Sequence, residues 1–504
     1  MIAEKNPWMV LAIVSAGLVL VGIDMTVLNV ALPVLAHELD ATTSEKLWMV
    51  NAYSLVMAGL LPGCGTLSDR IGHRKMFVAG LVVFGAASSM AAFSPTAELL
   101  IVARGLLAVG AAIMLPATIS IIRVVFTHDH ERAIAIGVWG SVSAGASALG
   151  PILGGVLLEH FWWGAVFLIN VPIVLLTLFF TFIKIPPISG NPERYWDALT
   201  SALLTVALIA LLYALKGLLK AEIHWNEVII ALLMGIAFSW GFILRQKTLR
   251  SPIIDFSLFG NTRFALGTAG AFFASFIVIG LQFVLSQERQ LVRAFTPLEA
   301  GLFILPIAAG ALVAGPLFGA FLFRIGIERM LALTLFLAAS GLALFTFLPE
   351  QNTLLLQTIV LGLTGFGLGG MMSVSSTAIM ISAPEDKAGM AGSLEGISYE
   401  LGGTLGVAVM GSIIASFYTR TFNPPDNIQL PSVAWDSLDQ TILVATKLLS
   451  AQAEQVISAG KIAFSAGVIT TLHAVVALTM ILLISMTFYM RNKPTETKIP
   501  ASRR

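Results

Sequence analysis

Long apolar runs separated by short polar breaks fill the chain from Pro7 to Met490. A helix that crosses a bilayer needs about 20 apolar residues. Runs on that scale lie at 8–31, 47–67, 76–94, 98–122, 133–158, 164–184, 198–219, 227–245, 263–286, 298–322, 330–349, 353–382, 389–419 and 464–490. The pattern predicts an all-α membrane protein with 14 spans. Two connections break the rhythm. Residues 185–197, "IPPISGNPERYWD", are Pro-rich and polar, as suits a linker. Residues 420–463 form a long loop in which Ser437 and Gln440 fit a capping box. One or two short amphipathic helices are expected there, either resting in the outer leaflet or solvated.

Composition agrees with the pattern. The 504 residues are 57% hydrophobic and 11% charged, with mean hydropathy +0.90. A soluble chain carries about 25% charged residues. With the N-terminus inside, 20 of the 29 Lys and Arg fall in inner segments and 8 in outer ones, and Arg104 lies within a span. Positive residues favour the cytoplasmic side, so both termini are expected there. The first apolar run is too long for a signal-peptide core and reads as a retained span. A net charge of +1 gives no sign of a nucleic-acid partner. A single cysteine, Cys64, excludes an internal disulfide and a Cys-rich metal site. "HDHER" (128–132) reads as a solvated inner loop, so no metal is expected. "GFGLGG" (365–370) lies mid-span without a strand–helix unit around it. No Walker A, His-Glu-x-x-His or Gly-x-Ser-x-Gly sequence occurs. The reading is therefore not an enzyme, and no cofactor.

An internal repeat organises the spans. "PGCGTLSDRIGHRKMF" (62–77) and "PLFGAFLFRIGIERML" (316–331) match at six of sixteen positions with a constant offset of 254. Each copy sits at an inner loop between spans. Two six-span halves with an inserted pair follow: 1–187, then 188–250 with spans 7 and 8, then 251–504. Two related halves around a midplane site are a transporter design.

Charges inside the spans are the candidate chemistry. An ionisable residue at the bilayer centre costs about 2.5–3.5 kcal/mol on insertion scales and is usually functional. Asp24 in span 1 and Arg104 in span 4 lie at depths about 4–5 Å apart by helix rise. Burial and a nearby cation act on a carboxyl in opposite senses, which poises Asp24 to exchange a proton. A purely structural pair is the alternative. In span 13, Glu395 and Glu400 point about 140° apart. Glu400, near mid-depth, is expected in the cavity, and Glu395 there or against an inner-side partner.

With these residues in view, the chain resembles the major facilitator superfamily, specifically its fourteen-span drug:proton antiporters. "GTLSDRIGHRK" (65–75) resembles the loop 2–3 signature, "GASALGPILGG" (145–155) the antiporter signature of span 5, and "DMTVLNVALP" (24–33) and "FLINVP" (167–172) the signatures of spans 1 and 6. "ARGLLAVGAA" (103–112) is similar to the span 4 signature in part, with Leu107 and Ala108 where Gln and Gly are common. The resemblance implies a conformational latch at Gly65, Asp69, Arg70, Gly72 and Arg74. There Asp69 would bond a helix N-terminus and the arginines would pair with acids. A plain positive-inside anchor is the alternative. It also implies a packed seam between halves at Gly145, Gly150, Pro151, Gly154 and Gly155. The function implied is proton-coupled export of organic cations, as in methyl-viologen and quaternary-ammonium pumps, by a monomer in the bacterial inner membrane. A proton-coupled transporter of an endogenous solute is the alternative. Asp24, Glu400, Arg104 and Glu395 would bind protons or substrate, and Tyr53, Met57, Phe276 and Phe303 would line the cavity.

Overall fold

The computed structural model describes all residues except 1–5, 42, 189, 192, 194–195, 219–222, 250–251, 253, 348–353, 385–386, 426–427 and 493–504. Each predicted span falls on a helix. The first seven helices are α1 (Pro7–Glu38), α2 (Thr43–Ile71), α3 (His73–Ala92), α4 (Ala97–Val125), α5 (Asp129–His160), α6 (Ala165–Leu168) and α7 (Asn170–Lys184). Then come α8 (Ala198–Leu218) and α9 (Trp225–Gln246). The last seven are α10 (Thr262–Leu291), α11 (Pro297–Ile325), α12 (Ile327–Phe347), α13 (Leu354–Ser382), α14 (Ala388–Thr421), α15 (Leu438–Ala445) and α16 (Ser450–Asn492). Among the described residues, 13 stretches are long and apolar enough to cross a membrane. The chain is a multi-pass membrane protein.

Two expectations need correction. The sixth run is broken: one turn, α6, precedes α7, and the break falls within "FLINVP" with Pro172 at its far side. A proline lacks the donor that a continuous helix would use. The 420–463 connection is shorter than expected, because α16 begins at Ser450 rather than near 464. Among its described residues a 3-10 turn at Ser432–Trp435 and the short helix α15 stand apart, the latter with the Ser437 side chain accepting from Gln440 N at its start. Its buried face, Leu438, Thr441 and Ala445, packs back on the protein, where Thr441 bonds the Tyr418 hydroxyl at 2.5 Å.

Helices α1–α7 pack among themselves, as do α10–α16, and the two groups meet along α5 with α11 and α2 with α14. Helices α8 and α9 pack on each other and reach the body through α2. Small residues set the seams. A Cβ on Gly137 of α5 would lie 2.3 Å from the Gly315 carbonyl of α11, so the two backbones touch. Across the same seam Ser141 donates to the Ala311 carbonyl at 3.0 Å. Outward faces stay apolar: on α7, Leu175, Leu176, Phe179 and Phe182 are all exposed, as a lipid-facing surface requires.

The repeat is visible in the backbone. Gly72 separates α2 from α3 with φ 110°, and Gly326 separates α11 from α12 with φ 88°. That region favours glycine because a Cβ clashes there.

Both ends of the helical body lie on one face. Trp8 at the start of α1 packs edge-on to Phe126, just past the end of α4. Arg123, in the last turn of α4, reaches the end of α13. Met486 near the end of α16 packs with Met330 at the start of α12.

Candidate functional site

Between the two helix groups lies a cavity of about 110 Å³. Residues from α1, α2, α4, α5, α10, α11, α13 and α14 all reach it. Most of the lining is apolar, including Met25, Met57 and Met372. Two aromatic side chains, Trp139 and Tyr399, join them, and the Trp139 indole is held by donating to the Thr118 hydroxyl at 3.0 Å. Glu400 is the only carboxylate lining it among the described residues. Polarisable thioethers, π faces and one carboxylate suit an organic cation.

Of the lining residues expected from sequence, Met57 and Glu400 reach the cavity and Tyr53, Phe276 and Phe303 do not. Tyr53 lies under the Arg104 guanidinium, 4.6 Å from ring centroid to Cζ. Phe276 stacks on Phe272 and presents its backbone to Gly402 and Gly406 of α14. Phe303 carries Arg289 over its face at 4.0 Å. Apolar spacing marks these as helix-face residues without saying which neighbour they meet. Trp139, Tyr399, Met25 and Met372 went unnoticed for the same reason, though "Y-E" at 399–400 placed an aromatic beside the acid.

Asp24 and Arg104 form a direct pair, with Arg104 Nη1 2.5 Å from Asp24 Oδ2 and both side chains at most 2% exposed. Arg104 Nε also donates to the Met49 carbonyl at 3.2 Å, so the pair ties α1, α2 and α4 together. Asn170, at the start of α7, lies close by and donates to Ser88 at 3.2 Å. The pair lies behind the cavity wall, while its neighbours Gly22 and Met25 line the cavity. Glu395 also lies off the cavity, fully buried against Ser376, whose hydroxyl donates to it.

The 65–75 segment meets the other half at the face where α1 starts and α16 ends. Asp69 Oδ1 accepts from Gly389 N at 2.8 Å, in the first turn of α14, where the helix dipole favours an anion. A Cβ on Gly65 would lie 1.6 Å from Ser393 Oγ and 2.3 Å from the Gly389 carbonyl. Among the described residues the arginines show no acid partner: Arg74 donates to the Phe182 carbonyl at 3.2 Å, and Arg70 is exposed. The second copy places Gly319 of α11 against Ala133 and Ile134 at the start of α5, mirroring Gly65 on α14. A further contact was not foreseen. Arg123 Nη2 donates to the Ala383 carbonyl at 2.7 Å and Nη1 to the Pro384 carbonyl at 3.4 Å, capping the end of α13 from the opposite half. Beside it Lys387 pairs with Asp255 at 2.6 Å and holds that carboxyl below its ordinary range.

The glycines of 145–155 divide between two jobs. Gly150 and Gly154 pack on Thr26 and Val27 of α1, within their own half, so they are not part of the seam. Gly145 and Gly155 face Leu312 and Leu298 of α11, across it. The side chain of Pro151 lies outside the described residues.

The model of the Major Facilitator Superfamily matches residues 14–407. The chain belongs to that superfamily. This superfamily member is 36% identical over 462 residues to the methyl viologen resistance protein SmvA of Salmonella typhimurium, covering 91% of this chain and 93% of that one. It is 34% identical over 478 residues to the multidrug efflux pump LfrA of Mycolicibacterium smegmatis, covering 94% of each. Among solved structures, the human organic anion transporter MFSD10 superposes with TM-score 0.60 at 15% identity, over 93% of this chain and all of that one, which shows a shared fold.

Proposed function

We propose that this transporter is a proton-coupled multidrug efflux antiporter that exports organic cations across the bacterial inner membrane by alternating access. The carrying observation is the cavity: Met, Trp and Tyr side chains from both halves around a single carboxylate, Glu400. The names of SmvA and LfrA support export of drugs over uptake of an endogenous solute. In this reading the chain spans the bilayer fourteen times, with both termini in the cytoplasm. It works as a monomer of two bundles, 1–187 and 251–504, joined by 188–250. It uses the proton gradient and no cofactor.

A cation enters from the cytoplasm or inner leaflet and settles against Glu400 and the cavity rings. The face where α1 starts and α16 ends is then the cytoplasmic one, closed here by the Asp69 and Arg123 contacts. Protons arriving from outside neutralise Glu400 and break the Asp24–Arg104 pair, and the drug leaves. A monovalent cation exchanged for one proton is electroneutral. A divalent cation needs two, or it moves charge against about 2.3 kcal/mol per charge per 100 mV. Asp24 and Glu400 supply the two sites.

The test is proton movement in proteoliposomes under an imposed pH gradient, started by adding a quaternary ammonium dye. Dye-triggered flux is expected from the unaltered protein. Glu400→Gln should abolish export of divalent methyl viologen while sparing some monovalent dye export. Equal export of both by the variant removes Glu400 from the mechanism, and no flux from folded unaltered protein defeats the efflux reading.

A further inference from the structure

Glu395 is 1% exposed and sits between α13 and α14. Its Oε1 accepts from the Ser376 hydroxyl, and its Oε2 has no hydrogen-bond partner among the described residues. No Lys, Arg or His among them pairs with it. The ionisable groups around it are Tyr399, whose hydroxyl also bears directly on the carboxylate, and, further along the same helix, Glu400. An ionised carboxylate sealed from water without a cation is costly, and such groups take up a proton instead. Ser376 Oγ lies 2.9 Å from the Tyr399 hydroxyl. That hydroxyl also reaches the Met372 carbonyl at 3.3 Å. Ser376 is fully buried, and Tyr399 is the member of the trio that lines the cavity.

We infer that Tyr399 and Ser376 connect Glu395 to the cavity as a proton relay, giving the second half a proton site separate from Glu400 and from Asp24. The step conserves protons. A hydronium in the cavity gives one to Tyr399 Oη, whose own proton passes to Ser376 Oγ, whose own passes to Glu395 Oε1. Both hydroxyls are restored, and the net change is one proton on the carboxylate. Reversal in the other conformation releases it. Glu395 touches no substrate in this arrangement. Tyr399 and Ser376 act by positioning and passing protons, and because Ser376 lies off the cavity its loss should slow transfer without weakening drug binding. The transport consequence rests on the antiport reading, but the proton site itself does not.

Infrared spectroscopy of the purified full-length protein, with hydrogen–deuterium exchange, tests the site apart from transport. A protonated-carboxyl band is expected in the unaltered protein that Glu395→Gln removes and Asp24→Asn leaves. Tyr399→Phe and Ser376→Ala should keep the band and slow its exchange by about tenfold or more, the scale of a positioned proton-transfer group. Both should slow dye-triggered proton flux, Ser376→Ala with unchanged dye affinity because Ser376 does not line the cavity, and Ser376→Thr should restore both rates. The relay is overturned if Glu395→Gln leaves the band in place, or if Tyr399→Phe exchanges and transports at the unaltered rate. If the band and its slowed exchange are found but no dye moves protons, the efflux reading falls and the relay stands.

Discussion

Asp24 and Arg104 bring opposite charges to 2.5 Å where neither meets water. Removing one member of such a pair leaves an uncompensated buried charge, at about 3–5 kcal/mol. Asp24→Asn should therefore lower the unfolding temperature of the purified protein clearly. Asp24→Asn combined with Arg104→Gln should regain most of it, while neither protein exports dye. A double variant as unstable as the single one would mean that the charge itself is not what the fold accommodates. This pair was legible in the sequence, because a charge in an apolar run stands out by its solvation cost. Ser376, Trp139 and Tyr399 were not: in a helix lined with similar residues on every side, sequence spacing fixes the face but not the neighbour across it. Tyr53 and Phe303 illustrate the same limit from the other side, since both meet a guanidinium rather than the cavity.

Helices were easier to read than their ends. All fourteen predicted runs coincide with helical segments, because a bilayer admits little else. The extra turns of α16 fall where short amphipathic helices are expected, because "SAQAEQVISAGK" is too polar to read as part of a span. Its apolar positions nevertheless recur on one face, and Val456 is buried against α15 and Tyr418. A polar clasp ties the inserted pair at one end. Asp197, just before α8, accepts from Arg245 Nε at 2.6 Å near the end of α9, and from Thr200 N at 3.0 Å in the first turn of α8. Arg245 holds the Asp197 carboxyl well below the ordinary carboxylate range. A depressed carboxyl adds stability above its unfolded value, about 3.9. That contribution is full at neutral pH and is lost as pH falls through the folded value, below the usual range. Asp197→Asn should remove it at every pH, at about 1.5–3 kcal/mol for hydrogen bonds to a charged group. Thermal unfolding at pH 7 should show the deficit, and the gap to the unaltered protein should narrow only under strong acid. A gap that closes already by pH 5 would assign the clasp to another group.

The two halves are held together at the face where α1 starts and α16 ends by contacts of opposite sign on one turn. Asp69 accepts from the Gly389 N–H in the first turn of α14, and Arg123 donates to the Ala383 and Pro384 carbonyls just past α13, so the approach to α14 is gripped near both dipole ends. The first grip could be read from "SDR" and its neighbouring glycines. The second could not, since Arg123 looks like any positive residue at an inner span end. Each contact is a charge-assisted hydrogen bond worth about 1.5–3 kcal/mol, and 1.4 kcal/mol is a factor of ten in an equilibrium. Asp69→Asn and Arg123→Gln should each shift the ratio of open to closed at this face by about tenfold or more. Spin labels at Ile71 and Ile381, both exposed at this face and on opposite halves, can follow it in a Cys64→Ser background. The unaltered protein should give one short distance, each variant should add a longer one, and the double variant should favour the longer one further. Gly65→Ala should act in the same direction by sterics alone, because its Cβ has no room beside Ser393 and Gly389. If Gly65→Ala opens this face while Asp69→Asn and Arg123→Gln do not, backbone packing holds the closed state and the charges merely sit beside it. If all three open it, the turn between α13 and α14 is the element whose grip the transport cycle must release.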